Sequence, residues 1–327
     1  VTSSPEDGSP LGDVVGLVEA FLLGDAPSLT RDQVAEEAGV PLAMAMELWR
    51  LSGFPHAEED EVAFTAADVE ALRLTHDLMR LGVLSPDRQA ALVRTWGRSF
   101  ARLAEWQTSL LGDVALEHGA DADILDLAGE VLPRVEALQS YIWRRHLVSA
   151  AARVLPMLST GQAEVPLAVG FVDIVGYTAH SRTIDEGELV DLVEGFEAEM
   201  AALVGDVPQG RVIKSLGDAV LYVCPSPLDA VTVALEAIAA GEEDELAFPR
   251  VRAGVAYGPV VPRLGDVFGP TVNLASRLTS VARPGTVVCD EGAAEALAEE
   301  TAVQVRRLRR TSAKGYARLQ PYVVRPT

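Results

Sequence analysis

Lysine is nearly absent from this chain: Lys214 and Lys314 are the only two in 327 residues, against 25 arginines. Where arginine carries almost all the positive charge, a lysine suggests a site that wants a compact point charge rather than a planar fork. A codon bias toward arginine would leave the same ratio. Cysteine is equally scarce. Cys224 and Cys289 both lie beside apolar runs, which excludes a disulfide framework and reads as two buried, reduced thiols. Basic residues are outnumbered 27 to 48, for a net charge of −21. That disfavours a DNA-binding chain, which needs a basic footprint, but not a small nucleotide, whose site is local. No stretch approaches the roughly 18 apolar residues of a membrane span. The segment SSPEDGSP near the start has neither the basic nor the apolar region of a signal peptide. The expectation is a cytoplasmic protein with no transmembrane segment. Hydrophobic content of 49% with 23% charge fits a globular chain long enough for two domains.

The first half reads as helix throughout. Residues 1–10 form a polar, flexible tail. Thr30 with Gln33 three residues on is an N-terminal capping signature. Gly39-Val-Pro41 ends that helix, and a second, Leu42–Leu51, is closed by Gly53. Thr65 opens a third, with Val69, Leu72, Leu78 and Met79 near helical spacing. Longer helices are expected around Arg88–Leu111, Asp121–Gly129 and Tyr141–Leu155, the last stopped by Pro156. The segment Leu29–Arg73 resembles the MerR-like helix-turn-helix arrangement, yet its second helix offers Arg50 as its only base. A recognition helix needs donors for base edges and phosphates, so DNA is not the expected partner and a helical packing module is the better reading.

From Val165 the pattern changes to alternating strands and helices. Strand 166–173, helix 184–204, strand 210–215, a tight turn, strand 218–224, helix 228–240 and strand 250–258 follow the βαββαβ ferredoxin-like order. A helix near 271–281 and strands near 286–290 and 319–325 come after, giving an α+β domain whose sheet is covered on one face. Three segments here carry polar residues that nucleotide chemistry uses: FVDIVGYT (171–178), KSLGD (214–218) and GDVFGPTVNLASR (265–277). Asp173 and Asp218 fall at the ends of two strands, where a pair of carboxylates can hold two divalent cations for phosphoryl transfer. Asn273 and Arg277, four apart on one helix, share a face.

With these three ordered motifs, residues 161–327 resemble the catalytic domain of class III nucleotidyl cyclases, most nearly the bacterial adenylate cyclases that act as homodimers. The resemblance implies that Asp173 and Asp218 bind two Mg²⁺ or Mn²⁺ ions per active site. It implies that Lys214 and Asp266 select the purine. An ammonium donates to adenine N1 and a carboxylate accepts from the N6 amino group, whereas guanine presents the opposite edge. Asn273 and Arg277 match the residues that orient the ribose and meet the charge growing on the transferred phosphate. Lys314, in AKGYARLQ, matches a lysine sent to the triphosphate. In this family the metal aspartates come from one subunit and the purine and transition-state residues from the other. A homodimer with ATP bound at the subunit interface is therefore implied.

By the same resemblance, residues 11–138 correspond to an all-α regulatory domain and 139–160 to a linker helix that could pass a rotation or shift to the catalytic half. The regulatory signal is unknown. A proton sensed by His56, His76, His118 or His146 and an apolar ligand are both open. Two other functions stay open: a non-catalytic nucleotide sensor whose MerR-like segment reads DNA, and a guanylate cyclase.

Overall fold

The computed structural model describes residues 10–82, 86–118, 124–160, 164–243, 248–263 and 265–327. The chain divides into two compact units, Val1–Ala150 and Ala151–Thr327.

The first unit holds α1 (Pro10–Leu23), α2 (Arg31–Ala38), α3 (Leu42–Ser52), α4 (Ala66–Arg80) and α5 (Pro86–His118), and α6 (Ile124–Thr160) begins in it. Local chemistry sets its helix ends. Thr30 and Gln33 form the reciprocal capping box: the Thr30 N–H donates to the Gln33 side chain at 2.8 Å. Gly39 and Gly53 close α2 and α3 in the left-handed region, at φ 70° and 81°, where a Cβ would be strained. Val34, Ala35, Ala45, Leu48, Leu51, Val69 and Leu72 form one buried cluster. Arg50 is held by Glu47, its Nε 2.8 Å from a carboxylate oxygen.

Two expectations for this region change. The helices expected from Asp121 and from Tyr141 are one, and Pro156 does not end it, because α6 runs on to Thr160. A proline removes one N–H and crowds one carbonyl, costing about 3 kcal/mol. That is a local charge against the many remaining bonds of a 37-residue helix. Asp121 itself, and residues 1–9 of the expected tail, lie outside the described residues.

The second unit runs β1 (Val165–Ile174), α7 (Tyr177–His180), α8 (Glu186–Gly205), β2 (Arg211–Ser215), β3 (Ala219–Cys224), α9 (Pro227–Glu243) and β4 (Val251–Arg263). It continues through β5 (Asp266–Phe268), α10 (Pro270–Val281), β6 (Val287–Cys289), α11 (Glu291–Ala296), β7 (Val303–Arg307), β8 (Thr311–Ala313), β9 (Tyr316–Leu319) and β10 (Tyr322–Pro326). The main sheet has the order β2-β3-β1-β4-β6-β10-β7, with β5 paired to β4; β8 and β9 form a separate hairpin. Its first four strands, 2-3-1-4, are the ferredoxin-like arrangement of an α+β domain. Among the described residues no helix is long and apolar enough to cross a membrane.

The sheet is covered on both faces, not one. Ala168, Val172, Tyr222 and Cys224 point toward Phe196, Met200, Val231 and Ala234 of α8 and α9. The alternate residues Val169, Phe171, Leu221 and Val223 meet Ala275 and Leu278 of α10. This period-two alternation on β1 and β3 means that both faces are apolar and both need a cover. α10 reaches the sheet because Gly254 lacks a side chain. A Cβ there would lie 2.3 Å from the Thr279 amide nitrogen and 2.6 Å from the Ala275 carbonyl oxygen. Burial pushes both thiols, Cys224 and Cys289, up to about 12, so neither ionises in the folded protein.

Asp290 ties α11 to β4. One of its carboxylate oxygens accepts from the Ala293 N–H at 3.0 Å and from the Tyr257 N–H at 3.1 Å. Asp290→Ala removes a helix cap and orphans a strand N–H, so it should lower unfolding free energy by about 2 kcal/mol in denaturant titration. Burial raises this carboxyl above 3.8, against the lowering effect of its backbone hydrogen bonds. A raised folded-state value means its stabilising contribution is full at low pH and falls as pH rises through that value. Asp290→Asn, which keeps an acceptor but cannot ionise, should lose less stability than the parent between pH 3.8 and neutrality.

Candidate active site

The candidate residues lie on β1, β2, β5 and α10 and in the β2–β3 and β8–β9 turns of the second unit. Asp173 lies at the end of β1, paired with Ala219 of β3 and Arg252 of β4. It shares the α10 face of the sheet with Val169 and Phe171. The β2–β3 turn places Asp218 alongside, and the Ile174 N–H donates to the Asp218 carbonyl at 2.8 Å. The Asp173 carboxyl is raised, first by burial. The Arg252 guanidinium opposes this through a hydrogen bond and its charge, and the nearby Asp218 carboxylate adds a further rise. Two adjacent carboxylates, one half-buried, form a donor set that favours a multivalent cation. Among the described residues no group of three or more His, Cys, Asp and Glu gathers for a metal. Hard cations such as Mg²⁺ are commonly held by one or two carboxylates together with substrate phosphates, and this pair fits that pattern.

Lys214 on β2 and Asp266 on β5 meet directly, Nζ to Oδ2 at 2.5 Å, across 52 residues of sequence. The other Asp266 oxygen accepts from the Val267 N–H at 2.8 Å, which fixes the carboxylate. Both groups keep capacity. Lys214 has three protons and needs one for this bond, and each carboxylate oxygen retains a free lone pair.

Asn273 and Arg277 sit one turn apart on α10, which starts at Pro270 after Gly269. Asn273 is exposed and Arg277 half-buried. Among the described residues the Arg277 guanidinium makes no ion pair, so its charge is available. Lys314 occupies the β8–β9 turn, exposed, before Gly315 at φ 84°. No contact in the described chain brings it to the other six residues. The fold thus joins Lys214 to Asp266 and sets Asp218 by Asp173, and among the described residues it brings Asn273, Arg277 and Lys314 to neither pair.

Sequence reasoning missed one residue at this site. Arg252 grips Asp173, Nε at 2.7 Å and a terminal guanidinium nitrogen at 2.6 Å from the same oxygen. A charged residue between the buried Val251 and Ala253 was the available signal. That it faces Asp173 depends on the β1–β4 register, which strand periodicity does not reveal.

Comparison with known proteins gives the family. Residues 161–326 match the family described as the adenylate and guanylate cyclase catalytic domain. An adenylate cyclase of Glutamicibacter nicotianae is 38% identical over 331 residues, covering 95% of this chain and 82% of the relative. An adenylate cyclase of Streptomyces coelicolor is 38% identical over 90% of this chain and 78% of its own length. A pH-sensitive adenylate cyclase of Mycobacterium tuberculosis is 31% identical over 86% of this chain and 74% of its own length. The chain belongs to the class III adenylate and guanylate cyclase family. These matches extend through the helical half, so the likeness covers both units.

Proposed function

We infer that this chain is an adenylate cyclase, converting ATP to 3′,5′-cyclic AMP and pyrophosphate. The observation that carries the choice of ATP is the meeting of Lys214 and Asp266, within a family whose members act on adenine or guanine nucleotides. Lys214 donates to adenine N1, and Asp266 accepts from the N6 amino group while keeping the ammonium in place. Guanine would set its N1–H against the ammonium and its O6 against the carboxylate. A mispaired polar edge costs about 1–3 kcal/mol, enough for a preference.

Asp173 and Asp218 are the residues that would hold two divalent cations, Mg²⁺ or Mn²⁺, together with the substrate's phosphates. When bound, such ions favour the ionised ribose 3′-oxygen and draw charge from the α-phosphate as pyrophosphate leaves. Asn273 orients the ribose, Arg277 meets the charge that grows on the transferred phosphate, and Lys314 approaches the triphosphate from its turn.

The site is completed by a second copy of the chain, one subunit supplying Asp173 and Asp218 and the other Lys214, Asp266, Asn273 and Arg277. The unpaired state of Arg277 supports this. So does the apolar surface of α6, where Tyr141 is 60% exposed, Trp143 55% and Val148 63%. Residues 11–138 regulate, and the 139–160 stretch of α6 transmits their state to the catalytic unit. On α3, the segment resembling a recognition helix, Arg50 is already engaged by Glu47, which weighs against a DNA-reading role. The reaction's substrate assigns it to the cytoplasm.

The test is cyclic nucleotide formation by the full-length chain with ATP or GTP, in Mn²⁺ and in Mg²⁺. Cyclic AMP from ATP is expected; cyclic GMP as the main product would reverse the assignment. The shared site has its own check. Asp173→Ala and Arg277→Ala chains, each inactive alone, should regain activity when mixed, because one of the two hybrid sites is intact. No recovery on mixing would refute a site built from two subunits.

A further inference from the structure

Away from these residues, the second unit carries four arginines around one depression. The strand register sets its floor. Val323 of β10 pairs with Arg306 of β7 and with Val288 of β6. Directly opposed residues share a face and every second residue returns to it, so Arg325 and Thr286 join Arg306 on that side. Arg283 enters from the turn that follows α10, and Arg309 from the segment just after β7. With Thr311 they line an open depression of about 440 Å³. None of these residues belongs to the candidate active site.

In a chain of 48 acidic and 27 basic residues, four arginines border one depression; among the described residues Arg283, Arg306, Arg309 and Arg325 make no ion pair, and all four are exposed. Like charges gathered without a counterion repel one another. A guanidinium offers a planar fork that matches phosphate oxygens two at a time. Four such forks, from three stretches of chain around a sheet floor, suit an anion of several charges rather than a single carboxylate. The Thr286 hydroxyl donates to the Arg283 carbonyl at 2.7 Å, which steadies the turn that presents Arg283.

We propose that this depression is a second anion site, which binds a polyphosphate group, either inorganic or the triphosphate of a nucleotide, separately from the catalytic site.

The experiment is calorimetric titration of the full-length chain with inorganic tripolyphosphate, and in a second arm with ATP. EDTA keeps metal-dependent binding at Asp173 and Asp218 silent. The comparison is with the double variant Arg283→Gln, Arg325→Gln, checked for unchanged thermal unfolding, and with Lys314→Ala as a control for the catalytic site. Binding of tripolyphosphate should weaken at least tenfold in the double variant, as expected for losing two charge-assisted contacts. It should persist in Lys314→Ala. Tighter binding of ATP than of tripolyphosphate, lost in the same variant, would identify the nucleotide as the source; equal binding would identify the inorganic anion. No binding to the parent chain, or equal binding to parent and double variant, would overturn the proposal. So would binding of poly-glutamate in place of tripolyphosphate, which would assign the arginines to an acidic protein segment.

Discussion

Asp173→Ala in the full-length chain should lower the rate of cyclic AMP formation about 10³-fold, a loss of roughly 4 kcal/mol of transition-state stabilisation. The carboxylate is one of two that the fold sets side by side, and no third His, Cys, Asp or Glu gathers with them among the described residues. Losing one therefore removes half of the protein's own anionic donors. Folding should suffer much less. Asp173 is partnered by Arg252, whose side chain is about a third exposed, so the freed guanidinium can turn to water. Thermal unfolding within a few degrees of the parent, beside a collapse in kcat, is the expected pattern. Asp173→Asn separates charge from shape, since it keeps an acceptor for Arg252 but not the carboxylate charge. It should be nearly as inactive as the alanine variant. If the asparagine variant kept most of its activity, Asp173 would be a structural partner of Arg252 rather than a metal ligand.

The second large effect is expected at a residue with no functional group. Gly254→Ala puts a methyl 2.3 Å from the Thr279 amide nitrogen and 2.6 Å from the Ala275 carbonyl oxygen. Both are backbone atoms of α10, so no rotamer change relieves the contact and the helix has to move. Thr279 resists that motion. Its hydroxyl is buried and within hydrogen-bonding distance of the Ala275 carbonyl at 2.9 Å and the Phe171 carbonyl at 3.4 Å. Overpacking of this kind costs about 1–3 kcal/mol, to be read from denaturant unfolding. α10 also carries Asn273 and Arg277, and a displacement of about 1 Å in such groups can lower kcat about 100-fold. Assayed well below its own unfolding temperature, the variant should bind divalent cations as the parent does yet turn over far more slowly. A parent-like kcat would show that α10 can shift without consequence and would detach Asn273 and Arg277 from the chemistry.

Much of this protein was legible before its fold. The capping box at Thr30 and Gln33, the stops at Gly39 and Gly53, and the βαββαβ order are written in residues close together along the chain. Caps, turns and periodicity act over a few residues, so a linear reading captures them. The motif residues were legible for a different reason. Each chemistry-bearing side chain sits in a short segment whose order and spacing identify the family, whatever the tertiary contacts.

Other features were decided only when distant segments met. Arg252 faces Asp173 because β1 and β4 pair in one register out of several that their apolar patterns allow. Lys214 meets Asp266 because β5, three residues long, folds back on β4. A strand so short has no periodicity to read, and β8 and β9 escaped notice for the same reason. The cover of the second sheet face by α10 rests on one absent side chain at Gly254, and the arginine depression on β10 returning between β6 and β7. By itself the sequence determined the caps, the longer strands and helices, and the family to which its motifs belong. Which of those pieces touch was left to the packing of two apolar sheet faces, a free energy summed over the whole unit that no short window of residues contains.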